Sequence, residues 1–335
     1  MHDHRVTSSL IIAPQWIGDA VMTEPLLRRL AARGERLTVG ALPWVAPVYR
    51  AMPQVAEVIE FPFVHGGLQF KARRSLAQQI EGRFDVAYVL PNSLKSALLP
   101  FLARIPKRIG YLGEARVGLL THRLKNPPKD QRPPMVAFYS ALSGEPGAAA
   151  DRPHLQVDAA QGDAVLQRLG LRRGGYYVFV PGAEYGSAKR WPARRFAELA
   201  QQLGAPVLLL GSGKEAALGA EIVALAAGAD CRNLAGATSL TEAFGLIAAA
   251  RSVISNDTGL MHVAAALDVP QVAIFGSSSP LHTPPLSERA RVIWLKDDPA
   301  YQPPLDCAPC FQRECPLGHL RCLNDITAQR VRQAL

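Results

Sequence analysis

Short apolar runs, each ending in a turn rich in glycine, serine or aspartate and leading into a helical stretch, recur along this chain and leave few architectures open. Ser9–Ala13 reads as a buried strand followed by a Gly18-Asp19 turn. A helix is predicted from about Ala20 to Arg33, with Pro25 tolerable only near its first turn. Leu37–Ala41, Val58–Phe61 and Asp85–Leu90 are further strands, and Asn92 is the expected cap of a helix over Ser93–Leu102. In the second half, Tyr177–Val180, Pro206–Leu210, Ser252–Ser255 and Gln271–Phe275 read as strands. Ala193–Leu203, Ala216–Ala226, Thr241–Ala250 and Gly259–Leu267 read as the helices between them. Repeated strand–helix units predict parallel sheets. The expectation is therefore an α/β protein of two Rossmann-like domains, residues 1–155 and 156–324, with parallel sheets facing across a cleft. The later part of the proline-rich stretch Asn126–Pro153 is the expected linker, and a final helical segment, 325–335, is expected to pack back on the first domain.

A chain of 335 residues, 48% hydrophobic and 19% charged, is long enough for two cores and too apolar to be disordered. No apolar run approaches the ~20 residues that span a bilayer. The run Leu10–Pro14 is too brief for a signal-peptide core, so a cytoplasmic location is expected. The net charge of +9 is uneven: residues 1–155 hold 20 Lys and Arg against 12 Asp and Glu, residues 156–335 hold 17 against 16. Arg73, Arg74, Lys95, Arg104, Lys107, Arg108 and Arg116 supply much of the excess. It suits an anionic ligand, a phosphorylated acceptor or an anionic lipid surface, and equally a solvated basic face. No nucleic-acid-binding motif accompanies it, so nucleic acid is not an expected partner.

Two turns carry the most chemistry. Pro181-Gly-Ala-Glu-Tyr-Gly-Ser-Ala-Lys-Arg-Trp-Pro192 and Ser255-Asn-Asp-Thr-Gly-Leu-Met-His262 each stand where a strand ends and a helix begins. Open α/β sheets bind ligands there, and helix N-termini hold phosphate. A nucleotide diphosphate fits both. Lys189 suits stabilisation of a departing diphosphate, and the backbone N–H groups and hydroxyl of Asp257-Thr258-Gly259 suit its grip. Gly182 and Glu184, in the same turn as Lys189, join this donor-binding set, and Glu215 is placed to accept hydrogen bonds from a ribose. Asp19 is either a general base for an acceptor hydroxyl or an ordinary helix cap. His262 reads as a packed core residue. No Asp-x-Asp is present to hold a divalent cation against the diphosphate, so transfer without a required metal cofactor is expected.

Four of the five cysteines form Cys307-x2-Cys310-x4-Cys315-x6-Cys322. That spacing is compatible with a small structural zinc site or with thiols that pack in a loop rich in Pro309, Pro316 and Gly318.

The chain resembles the lipopolysaccharide heptosyltransferases of glycosyltransferase family nine. The resemblance rests on Ala13-Pro-Gln-Trp-Ile-Gly-Asp-Ala20, Tyr88-Val-Leu-Pro-Asn-Ser-Leu-Lys-Ser-Ala97 and the Pro181–Pro192 turn. It continues through Asn233-Leu-Ala-Gly236, Ser255–Ala265 and Ser278–Pro285. It implies a GT-B fold, ADP-heptose as donor, and inversion at the anomeric carbon without a metal. Asp19 would then be the general base, Lys189 a diphosphate contact, and Asp257, Thr258 and Gly259 the grip on heptose and phosphates. The resemblance also implies a Thr-Thr pair before the lysine in members that add the first heptose. Glu184-Tyr185 stands there instead, which favours heptosyl-Kdo-lipid A as acceptor, met at the inner-leaflet membrane surface by a peripherally bound enzyme. Lys95, Arg104, Lys107 and Arg108 are the expected acceptor contacts. The alternatives are a family member acting on another acceptor or sugar, and a non-catalytic nucleotide-binding module.

Overall fold

The computed structural model describes residues 6–64, 67–128, 131–148 and 151–335, and the chain divides after Gln156 into two compact units. The first contains strands β1 (Ser8–Ile12), β2 (Arg36–Ala41), β3 (Val55–Glu60), β4 (Val86–Val89), β5 (Lys107–Tyr111) and β6 (His122–Leu124). Its helices are α1 (Ile17–Met22), α2 (Glu24–Ala32), α3 (Ala46–Arg50), α4 (Phe70–Ile80), α5 (Leu94–Leu102) and α6 (Met135–Ser140). The second begins with α7 (Ala159–Leu169) and holds β7 (Tyr177–Val180), β8 (Val207–Leu209), β9 (Cys231–Asn233), β10 (Ser252–Asn256), β11 (Gln271–Phe275) and β12 (Ala290–Trp294). Its remaining helices are α8 (Ala193–Leu203), α9 (Ala216–Leu225), α10 (Leu240–Ala248), α11 (Gly259–Ala266), α12 (Arg321–Asn324) and α13 (Ala328–Gln333).

Each unit is one six-stranded parallel sheet, ordered β3-β2-β1-β4-β5-β6 and β12-β11-β10-β7-β8-β9. The order reverses between β1 and β4 in the first and between β7 and β10 in the second. Parallel sheets covered on both faces need apolar side chains on both faces. Consecutive Leu10, Ile11 and Ile12 are accordingly buried, as are Tyr177, Val178, Phe179 and Val180.

The helix expected over 20–33 is two helices. Thr23 ends α1 and precedes α2, with its hydroxyl donating to the Ala20 carbonyl at 2.6 Å. Pro25 lacks an N–H and its ring excludes the carbonyl four residues back, so it falls in the first turn of a new helix. Asn92 does not cap α5: the cap position is Ser93, and Asn92 Oδ1 accepts from Arg116 Nη2 at 3.0 Å. Arg116, one of the residues that supply the basic excess, is fully buried. It donates to the carbonyls of Tyr111 (2.9 Å, from Nε) and Pro91 (2.5 Å), and burial lowers its pKa to about 10. The closing segment, expected against the first domain, belongs to the second unit, where α13 packs on α8. Ile326, Ala328 and Val331 share a core with Phe196, because the apolar face of α13 is complementary to that of α8.

Candidate active site

In an open parallel sheet a ligand binds beyond the carboxyl ends of the strands where strand order reverses. In the second unit that place lies between β7 and β10, paired in register from Ser252↔Tyr177 to Ser255↔Val180. The two turns singled out in the sequence both leave the sheet there. Asn256, fully buried at the end of β10, joins them: Nδ2 donates to the Pro181 carbonyl at 2.7 Å, and Oδ1 accepts from Trp191 N–H at 3.0 Å. Trp191, 1% exposed, meets Phe196 edge-on at 4.8 Å and donates from Nε1 to the Ile326 carbonyl at 2.9 Å. A core tryptophan costs ~3–5 kcal/mol to truncate, so the turn two residues before it is firmly anchored.

That turn is Ser187–Lys189, and its lysine forms an ion pair with Asp257. The side chains are 18% and 7% exposed, far drier than a surface pair. Asp257 thus serves Lys189. The hydroxyl of Thr258, at the cap position of α11, caps none of the first helical N–H groups, which as a class have no acceptor within a helix. A cation and the amino end of a helix therefore meet at the reversal point, an arrangement that binds phosphate.

Glu215 lies beside β7 and β8. Its Oε2 accepts from Ser212 N–H at 2.8 Å and from the Ser212 hydroxyl at 2.6 Å, closing a capping box. Gly182 gives it room: a Cβ there would stand 2.5 Å from Glu215 Cγ. Glu215 Oε1 takes no hydrogen bond from the described residues and remains available to a hydroxyl. Glu184 is exposed and pairs with exposed Lys214 at 2.6 Å, so it stands at the rim.

His262 is 5% exposed, and burial, against the nearby charge of Asp257, lowers its pKa to about 4. It is neutral at pH 7. Between pH 6.5 and 4 the folded state binds fewer protons than the unfolded chain, so this group's contribution to stability falls as the pH falls. The loss is on the order of 3 kcal/mol. Urea midpoints at pH 7.5 and 4.5 should show His262→Gln losing less stability on acidification than the parent. Equal losses would refute a buried neutral imidazole.

In the first unit, Asp19 occupies the first turn of α1, beyond the carboxyl end of β1 at the reversal point. The Tyr139 hydroxyl donates to Asp19 Oδ1 at 3.3 Å. Burial, then the Asp19 charge, holds Tyr139 well above its ordinary pKa, so it stays a donor. Tyr49, fully buried beside Thr23, is raised by burial and by the same carboxylate. Lys95, in the first turn of α5, stands at this same edge of the sheet. Arg104, Lys107 and Arg108 do not: they precede or open β5 at the amino edge, and a five-residue strand spans roughly 15 Å. Arg104 pairs with Glu81 at 3.0 Å, and Arg108 donates to the carbonyls of Leu119 (2.7 Å) and Ile105 (2.5 Å). Of these four residues, expected as acceptor contacts, Lys95 alone therefore stands at the carboxyl edge, a distinction that spacing in sequence does not make.

Cys307, Cys310, Cys315 and Cys322 form no disulfide and line one small cavity with Ser277, His319 and Ala188, the neighbour of Lys189. Asn256 and Tyr139 were not anticipated. A polar residue closing an apolar strand is the signal that Asn256 leaves in the sequence, whereas Tyr139 leaves none.

Residues 73–321 match the family model for glycosyltransferase family 9 (heptosyltransferase). Lipopolysaccharide heptosyltransferase 2 of Salmonella typhimurium is 44% identical over 97% of each chain. Lipooligosaccharide heptosyltransferase 2 of Haemophilus influenzae is 40% identical over 85% of this chain and 88% of its own. The structure of E. coli ADP-heptose LPS heptosyltransferase II superposes with a TM-score of 0.82 at 41% identity, covering 98% of this chain and 97% of that one. The fold is the GT-B α/β class expected from the sequence. The chain belongs to glycosyltransferase family 9, the heptosyltransferases, and is a glycosyltransferase.

Proposed function

We propose that this enzyme is a heptosyltransferase of the second type, moving L-glycero-D-manno-heptose from ADP-heptose to the first heptose of Kdo-lipid A in the lipopolysaccharide inner core. The observation that carries the reading is the buried Lys189–Asp257 pair at the amino end of α11, in a chain so similar to proteins of that name. The second unit holds the donor. Lys189 turns from Asp257 to the diphosphate, the α11 N–H groups bind its oxygens, and Asp257 and Thr258 take heptose hydroxyls. Glu215 Oε1 accepts from the ribose. Asp19 takes the proton of the acceptor hydroxyl as that oxygen bonds to the anomeric carbon and the bond to ADP breaks, with inversion. Charge on the leaving diphosphate is met by Lys189 and the helix, so the reaction runs without a divalent cation.

The acceptor is an anionic glycolipid. Among the described residues no helix is long and apolar enough to cross a membrane. The basic excess of the first unit supports a peripheral encounter with the cytoplasmic face of the inner membrane, with Lys95 nearest the chemistry.

ADP release in the presence of EDTA, with mono-heptosylated and heptose-free Kdo-lipid A as separate acceptors, tests this. Turnover on the heptosylated acceptor alone is expected. Turnover on the heptose-free acceptor alone makes it the first-type enzyme, and none on either refutes heptosyl transfer to this core. Glu215→Gln keeps a capping box, since Gln serves as well as Glu at that position. It weakens one hydrogen bond to a charged acceptor and should raise KM for ADP-heptose about tenfold with kcat little changed. An unchanged KM removes Glu215 from the donor site.

A further inference from the structure

Residues 298–320 contain no helix or strand, yet they abut the turn that presents Lys189. Ala188 N–H donates to the Arg313 carbonyl at 3.0 Å, and a Cβ on Gly186 would stand 2.2 Å from that oxygen. Phe311 N–H donates to the Ser277 carbonyl at 2.7 Å, and the Tyr185 hydroxyl to the Phe311 carbonyl at 3.1 Å. A long irregular segment inside a compact domain needs something to hold it. This one contributes only Leu305 and Ala308 to the buried core.

The segment and the start of α12 bring four thiols to the wall of one cavity. Its free space is about 20 Å³, room for a single water or ion and not for an organic ligand. Cys315 Sγ already accepts from Leu320 N–H at 3.4 Å, the kind of backbone contact that supports a metal-bound thiolate. His319 lines the same cavity, but its Nδ1 accepts from Arg321 N–H at 3.0 Å. Ser277 Oγ, also on the wall, has no hydrogen-bond partner among the described residues. Among the described residues no group of three or more Cys, His, Asp or Glu is already set to hold an ion, so ligation requires the thiols to turn inward about their side-chain bonds.

We propose that Cys307, Cys310, Cys315 and Cys322 bind one structural zinc ion, which ties segment 298–320 together and thereby braces the Lys189 turn. Four thiolates, three from the segment and one from the start of α12, satisfy a closed tetrahedral site and leave no position for water, so the ion is structural. Binding releases the four thiol protons to solvent. No oxidation is involved.

The test is elemental analysis of the full-length protein, purified without chelators or a histidine tag, alongside Cys310→Ser, Cys322→Ser and Cys231→Ser. About one zinc per chain is expected in the parent and in Cys231→Ser, and less than a tenth of that in the other two. Their melting temperatures should also fall. Should the cluster variants fail to fold, the parent alone decides. Titration with a mercurial should release zinc in step with the reaction of four thiols. A parent chain without zinc, whether its four thiols are free or joined as disulfides, overturns the proposal.

Discussion

Asp19→Asn should lower kcat for ADP-heptose turnover by about 10²–10⁴-fold, the usual worth of a positioned general base. Asn keeps the size of Asp and an Oδ1 for the Tyr139 hydroxyl, so α1 and the buried tyrosines beneath it stay in place. What is lost is the carboxylate proposed to take the acceptor's proton. The residues proposed to hold the donor lie in the other unit, so ADP affinity by calorimetry should stay within about twofold while turnover falls. Turnover close to that of the parent would show that the base is elsewhere, whatever the fate of the Lys189 site.

Lys189→Met should cost a further large factor by a different route. Methionine retains most of the aliphatic stem and removes the charge. Two effects follow. The leaving diphosphate loses its cation, expected to lower kcat about 10²–10³-fold, as for loss of one preorganised electrostatic contact. Asp257, 7% exposed, is left without its partner, which for a buried ion pair destabilises by roughly 3–5 kcal/mol. The double variant Lys189→Met/Asp257→Asn separates them. Removing the stranded carboxylate should recover much of the stability in urea melts and none of the lost turnover through Lys189. If the single variant keeps parental kcat, Lys189 is a structural partner of Asp257 and nothing more.

The local elements were largely legible. Tyr177–Val180, Ala193–Leu203 and Gln271–Phe275 have the same bounds in sequence and structure, because apolar runs of strand length and amphipathic runs of helix length are local properties. The parallel sheets, and the position of the Pro181–Pro192 and Ser255–His262 turns at their strand ends, follow from the repeat of those elements. The placements that were not legible share a cause. Arg116 reads as surface charge until five carbonyl and side-chain acceptors surround it. Arg104, Lys107 and Lys95 look alike in sequence and stand at opposite edges of the sheet.

What the sequence by itself determined is the α/β class and the family, since both are written in periodicity and short motifs; it also offered, as expectations, residues suited to hold a diphosphate or accept a proton. The tertiary structure decided which of these residues meet. Lys189 and Asp257 pair because β7 and β10 are neighbours although two strands separate them in the chain. Tyr139 reaches Asp19 across 120 residues, and the cysteine segment abuts the lysine turn. Strand order and packing fix such contacts through burial summed over the whole core, and no local stretch of sequence carries that sum.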